Sequence, residues 1–212
     1  MIRTGARSSP LSRAQFEEVA RKVAIPLEPV WVDTTGDLDQ KTSLRILEKT
    51  DFFTRELDQL LLAGNIQIAI HSAKDLPEPL PQGLALIALT RGVDSRDSLV
   101  LRAGETLHSL PSGARIATSS PRREEAVKKL RSDLTFLDLR GPIHIRLTKL
   151  ETREADGIVV AEAALIRLRL THLNRLFLPG ETTPNQGRLA IVARAEDSAM
   201  RALFAPLHFE EP

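Results

Sequence analysis

The sequence predicts an α/β protein of two domains, built on mixed, mainly parallel sheets with helices on both faces. Three observations carry this expectation. Short apolar runs alternate with amphipathic helical stretches through most of the 212 residues, the pattern of strand–helix–strand units. The texture changes near residue 90, where Thr90-Arg91-Gly92-Val93-Asp94-Ser95-Arg96-Asp97 reads as a polar crossing between domains. On both sides of it, apolar runs end in polar turns, where open α/β sheets place ligands. The expected division is residues 1–90 with about 188–212 as one domain and 91–187 as the other, with a ligand cleft between them.

The elements follow in order. Ile2–Ala6 is a strand. Ser8 or Ser9 caps a helix that starts at Pro10 and runs to about Val23. Leu27–Asp33 is a second strand. Thr34–Lys49 is polar and poorly periodic and reads as a mobile loop. Asp51–Ala63 is a helix with Phe53, Leu57, Leu60 and Leu61 on one face, stopped by Gly64. Ile66–Ile70 and Leu84–Leu89 are buried strands. In the second half, Ser98–Arg102, Arg115–Thr118, Leu134–Leu139 and Gly157–Ala161 are strands. Helices are expected from Pro121 to about Arg131, over Ile143–Thr152 and over Glu162–Leu168. Pro179–Gly187 is a loop, Arg188–Ala193 a strand and Ser198–Ala205 a closing helix.

Composition excludes several function classes. A net charge of +1 gives no bulk signal for nucleic acid or an anionic membrane surface. The absence of cysteine removes disulfides, thiolate zinc sites and cysteine nucleophiles from these residues. No apolar run approaches a membrane span of ~20 residues, and the N-terminus has no apolar signal region, so a cytoplasmic protein is expected. The five histidines show no metal-ligand spacing, and Asp33, Asp37 and Asp39 lack the glycine and distal glutamate of a calcium loop. No metal is expected. The 29 basic residues divide into 22 arginines and 7 lysines. Arginine's planar fork suits carboxylates and phosphates; biased codon usage is the plain alternative.

Four segments share one design, a short strand or turn ending in a polar cluster. They are Thr4–Pro10, His71–Asp75, Ala117–Arg123 and Leu139–Arg146. The second begins in the apolar run Ile66–Ile70 and turns polar at His71, Ser72, Lys74 and Asp75 before Pro77, Pro79 and Pro81. A surface ion pair at a strand end is the plain account of Lys74 and Asp75, and a satisfied strand-end side chain that of His71. Thr118-Ser119-Ser120 and the following helix start form either an anion site or ordinary capping. Taken together the clusters offer Arg7, Lys74, Arg122, Arg123, Arg140 and Arg146, with Asp75 the single acid. That set suits a polycarboxylate or polyphosphate with a centre that becomes positive.

At these segments the chain resembles the porphobilinogen deaminase (hydroxymethylbilane synthase) family. The motifs run in family order: Arg7-Ser8-Ser9-Pro10-Leu11, Phe53-Thr54-Arg55-Glu56-Leu57, His71-Ser72-Ala73-Lys74-Asp75-Leu76-Pro77, Arg96-Asp97, Thr118-Ser119-Ser120-Pro121-Arg122-Arg123, Leu139-Arg140-Gly141 and Gln186-Gly187. The resemblance implies two domains like those of type 2 periplasmic binding proteins. It implies a cytoplasmic transferase of haem and other tetrapyrrole biosynthesis. Porphobilinogen loses ammonia, and head-to-tail addition gives linear hydroxymethylbilane. Asp75 matches the family's catalytic aspartate. Arg7, Ser9, Lys74, Thr118, Ser119, Ser120, Arg122, Arg123, Arg140, Arg146 and Arg167 match positions that hold substrate or the dipyrromethane cofactor. The implied partners are porphobilinogen and linear pyrrole chains, with no nucleic acid or membrane, and the chain is expected to be a monomer.

Departures accompany the match. The family ties dipyrromethane by a thioether to a cysteine of a third domain; this sequence has no cysteine and stops at Pro212, so that domain is expected to be absent. Pro121 stands where leucine is usual, Pro142-Ile143-His144-Ile145 replaces an Asn-Val-x-Thr-like stretch, and Asn185 and Arg188 flank Gln186-Gly187 in place of small residues. Lys49-Thr50-Asp51 replaces a Gly-Lys-Gly loop. Any dipyrromethane is therefore expected to be bound without covalent attachment, or not at all. The alternative to an enzyme is a noncatalytic cleft protein that binds a tetrapyrrole precursor or another polycarboxylate.

Overall fold

The computed structural model describes residues 1–39, 41–43, 45 and 51–210. In chain order the elements are β1 (Ile2–Arg7), α1 (Pro10–Ala20), β2 (Leu27–Val32), α2 (Thr35–Leu38), α3 (Arg55–Leu62), β3 (Ile68–Ser72) and β4 (Leu84–Leu89). There follow β5 (Asp97–Leu101), β6 (Arg115–Ala117), α4 (Pro121–Leu130), β7 (Thr135–Leu137), α5 (Ile143–Glu151), β8 (Gly157–Ala161), α6 (Glu162–Arg167) and β9 (Arg175–Phe177). The chain ends with β10 (Leu189–Arg194) and α7 (Ser198–Phe204). Single 3-10 turns occupy Asp51–Phe53, Ala73–Asp75 and Ala205–Leu207.

Two compact units emerge, one from Met1–Asp39, Glu48–Val93 and Pro184–Pro212, the other from Gln40–Leu47 and Asp94–Thr183. Each holds a five-stranded sheet, ordered β2-β1-β3-β10-β4 in the first and β7-β6-β8-β5-β9 in the second. The two orders are one plan used twice. Three parallel strands come first, then a strand antiparallel to both its neighbours, then an edge strand. The fourth strand follows a crossing between units in both cases: β5 enters the second unit and β10 re-enters the first. Alternation of strands and helices predicts the parallel pairs. The antiparallel ones come from these crossings, and they make up half the pairings in each sheet, a larger share than the sequence led one to expect.

The helix start after the second strand of each sheet order, β1 and β6, is also repeated. Ser9 caps α1, its Oγ accepting from Ser12 N–H at 3.3 Å, and Ser120 caps α4, its Oγ accepting from Arg123 N–H at 3.5 Å. Pro10 and Pro121 occupy the first turns, where the missing N–H costs nothing. Both helices therefore begin just beyond a strand end, with Arg7 closing β1 and Arg122 and Arg123 in the first turn of α4.

The strands alternate their faces with period two. Ile68 and Ile70 pack with Phe16 and Val19 of α1 and Phe204 of α7, while Ala69 packs with Leu57 and Leu61 of α3. The second unit does the same: Leu99 and Leu101 join Ile116 and Val127, and Val100 joins Ile158 and Leu165. Helix α3 ends at Leu62 with Ala63 as its cap, and Gly64 follows with a φ of 72°, the left-handed geometry that terminates helices.

Several expectations need correction. Helix α1 stops at Ala20, short of Val23. The expected helix over Asp51–Ala63 is a 3-10 turn followed by α3. Thr34–Lys49 is not loop alone: Thr35–Leu38 is a helical turn, with the Asp37 carboxylate accepting from Thr34 N–H and Oγ1 at 3.1 and 2.8 Å. Gln40, Leu44 and residues 46–49 of that stretch lie outside the described residues. The short strand β9 was not expected.

Close packing of α3 on β1 depends on Gly5. A Cβ there would overlap Ile66 Cδ1 and lie 2.7 Å from Leu57 Cδ2, and both side chains are fully buried. Gly5→Ala is expected to lower stability by about 1–3 kcal/mol, read as an earlier urea midpoint with an unchanged slope.

Candidate active site

In the first unit, β1 and β3 are parallel neighbours and end at the same sheet edge. The turn after β3 carries Asp75, which lines a pocket with Arg7, Ser12, Gln15, Phe53, His71 and Ser72. Asp75 is half-buried, and its carboxylate has no hydrogen-bond or ion-pair partner among the described residues. The expected pair with Lys74 is not formed. Lys74 Nζ instead donates to Gln186 Oε1 at 3.2 Å, because consecutive residues of a tight turn point in different directions.

The neighbours of Asp75 are held firmly. Arg7 Nε donates to Asp37 Oδ2 at 2.9 Å, its Nη2 pairs with Asp37 Oδ1, and its guanidinium lies 4.5 Å from the centre of the Phe53 ring. Burial works against the charge on Asp37, yet the Arg7 fork and Thr34 hold its carboxyl below the ordinary range. Gln15 Nε2 donates to Ser72 Oγ at 2.8 Å and ties α1 to the end of β3.

His71 departs from expectation. The residue is 5% exposed, and its Nε2 is buried with no hydrogen-bond partner among the described residues. Burial, together with the nearby Arg7 charge, lowers its pKa to about 4. It is therefore a neutral imidazole at neutral pH, with one unsatisfied nitrogen beside the pocket.

In the second unit, β6 runs into Thr118-Ser119-Ser120. Thr118 Oγ1 accepts from Ser120 N–H at 3.2 Å, and Ser119 Oγ accepts from Leu139 N–H at 2.8 Å. The second bond ties this turn to the segment that leads into Arg140. Arg122 and Arg123 converge on Asp97, with Arg122 Nη2 2.6 Å from Oδ2 and Arg123 Nε 2.9 Å from Oδ1. Arg146 Nε donates to Gly141 O at 2.6 Å. Arg140 and Arg146 are half-buried, and Arg167 closes α6. Arg45, which sequence reasoning did not select, pairs with Glu124 at 2.8 Å and donates to Thr118 O at 2.9 Å.

The structure thus gathers Arg7 and Asp75 in one pocket and Arg122 with Arg123 on one carboxylate. Ser9 and Ser120 serve as helix caps, and Ser9 does not line the Asp75 pocket. The partners Asp37 and Asp97 and the pocket residue Gln15 were missed as site residues. Only Asp97 carried a signal, as part of the Arg96-Asp97 motif.

Comparison with known proteins decides the lineage. The profile described as porphobilinogen deaminase, dipyromethane cofactor binding domain, matches residues 2–202. The chain belongs to the porphobilinogen deaminase family. Among curated members, the porphobilinogen deaminase of Caldicellulosiruptor saccharolyticus is 40% identical over 195 residues, covering 90% of this chain and 67% of the relative. That of Caulobacter vibrioides is 39% identical, covering 92% and 66%, and that of a Roseiflexus species is 41% identical, covering 96% and 70%. The chain therefore spans about two thirds of the length of the curated porphobilinogen deaminases it matches.

Solved structures bear out the type 2 periplasmic-binding-protein fold. A periplasmic substrate-binding protein of an ABC transporter from Coxiella burnetii aligns with a TM-score of 0.59 at 13% identity, over 99% of this chain and 92% of its own. An ancestral amino-acid-binding protein, a precursor of cyclohexadienyl dehydratase, aligns with a TM-score of 0.53 at 11% identity, over 97% and 87%. At such identities the likeness concerns fold alone. No helix among the described residues is long and apolar enough to cross a membrane.

Proposed function

We propose that this chain carries the pyrrole-condensing site of a porphobilinogen deaminase, with Asp75 as its catalytic carboxylate. The observation that supports this reading best is the Asp75 carboxylate, unpaired among the described residues, in one pocket with the anchored Arg7 fork. Each pyrrole unit carries an acetate and a propionate, so a growing chain is a polycarboxylate. Arg7 and Lys74 in the first unit, and Arg122, Arg123, Arg140, Arg146 and Arg167 in the second, are the cations proposed to hold it. Ser9, Thr118, Ser119 and Ser120 are proposed to add hydroxyl and backbone contacts. When the aminomethyl C–N bond of porphobilinogen breaks and ammonia leaves, positive charge develops on the pyrrole. A fixed carboxylate beside it lowers the barrier and takes up the proton released when the next C–C bond forms.

The residues present fit dipyrromethane in one respect and not in another. The half-buried arginines suit its carboxylates, whereas no cysteine exists among the 212 residues to form a thioether. We therefore propose that any dipyrromethane held by these residues is held without a covalent bond to them. Its chemistry would be a free pyrrole end for the first addition. The chain is proposed to act as a cytoplasmic monomer on small molecules rather than on nucleic acid or membrane.

The second reading, binding of a tetrapyrrole precursor or another polycarboxylate without turnover, draws on the binding-protein fold. Calorimetric titration with porphobilinogen, followed by an ammonia assay, separates the two. Binding with continuing ammonia release is the expected result. Binding without release supports the second reading, and no binding contradicts both.

A further inference from the structure

We propose that Asp97 is a positioning residue, a single buried carboxylate that gathers the Arg122 and Arg123 guanidinium groups into one fixed cation pair for ligand carboxylates. The ligand side of this inference rests on the proposed function. The gathering itself rests on geometry. Arg122 and Arg123 are consecutive on the first turn of α4, so their side chains leave the helix ~100° apart. They are also like charges on long, mobile stems. Left alone, two such groups diverge into solvent.

Asp97 reverses that tendency. It is 1% exposed and opens β5, which lies between β8 and β9. Its backbone is fixed on both sides, opposite Ala161 in β8 and with its carbonyl accepting from Leu178 N–H at 2.9 Å. Each carboxylate oxygen takes one arginine. Oδ2 accepts from Arg122 Nη2 at 2.6 Å, and Oδ1 accepts from Arg123 Nε at 2.9 Å with Arg123 Nη2 2.7 Å away. Arg122 Nη1 also donates to Glu181 O at 2.8 Å.

The pair is asymmetric. The Arg123 side chain is 12% exposed and that of Arg122 33%. Arg123 is thus the inner member, while Arg122 keeps an open side. Both guanidinium groups, held on one carboxylate, thus keep a defined place at the start of α4. A carboxylate this deeply buried is tolerated only with such partners, so each of the three groups fixes the other two.

The test uses the whole chain and the variants Asp97→Asn and Asp97→Glu. Arginine side-chain NMR reads the gathering directly. The Arg123 Nε–H is expected to exchange slowly in the parent chain and to join the fast-exchanging arginines in Asp97→Asn. Calorimetry with porphobilinogen reads the consequence. Asp97→Asn is expected to weaken binding by about tenfold or more, and Asp97→Glu, which keeps the charge, to recover much of it. Melting curves establish that binding is measured on folded protein, since a merely structural role lowers the Tm and leaves the Kd of folded chain unmoved. Unchanged or tighter binding in Asp97→Asn overturns the proposal, as does unchanged Arg123 exchange. If the parent chain binds no porphobilinogen, the functional reading fails, and the exchange experiment still decides whether Asp97 gathers the arginines.

Discussion

Asp75→Ala is expected to lower porphobilinogen consumption by about 10²–10⁴-fold, the span that a positioned proton-transfer group contributes. Among the described residues, Asp75 is the only carboxylate that lines its pocket. Of its neighbours there, Arg7 is cationic and committed to Asp37, and His71 is neutral because burial and Arg7 lower its pKa to about 4. The described lining therefore offers no second acid to take over its role. The same change is expected to leave stability within about 0.5 kcal/mol, because the side chain is half-buried and has no partner to lose among the described residues. Ammonia release and a thermal melt, measured on the same preparation, check both halves. An active Asp75→Ala protein would remove Asp75 from the chemistry, and a melted one would make it a structural residue.

The second large effect concerns His71 and acid. Unfolded, its imidazole titrates near the ordinary 6.5; folded, burial first and the Arg7 charge second bring it to about 4. As pH falls below 6.5 the unfolded chain takes up a proton that the folded chain refuses. Stability is therefore present above that pH and lost progressively down to about 4. The full loss from this one group is about 3 kcal/mol. His71→Gln removes the titration. Carboxylates with lowered pKa, such as Asp37, destabilise the acid state of both proteins and cancel in the comparison. Urea unfolding of both at pH 7 and pH 4 is expected to show a parent-minus-variant difference that shrinks by about that amount toward acid. A difference independent of pH would mean that the buried ring is protonated as easily folded as unfolded.

Much of the fold was legible because its strands are short apolar runs with clear ends. Leu84–Leu89 and Gly157–Ala161 were placed to the residue. The helix starts were equally clear, since a serine followed by proline both caps and begins a helix. What could not be read depends on the tertiary fold. Strand β9 has three residues, too few for any periodicity. The antiparallel half of each sheet follows from where the chain returns, which no local pattern encodes. The site divides along the same line. Asp75 stood out because a carboxylate at the end of a buried strand is unusual locally. Asp37 and Asp97 did not, because each meets its arginine across 25 residues or more of sequence. His71 looked like an ordinary strand-end residue, since only packing reveals that its Nε2 is buried and unpartnered.

The central claim, that these residues join pyrroles head to tail, is tested most directly by the product. The purified chain is incubated with porphobilinogen alone, and the mixture is acidified, oxidised and assayed for uroporphyrin. Uroporphyrin formed well above an Asp75→Ala control is the predicted result. No porphobilinogen consumed above that control would contradict catalysis by this chain.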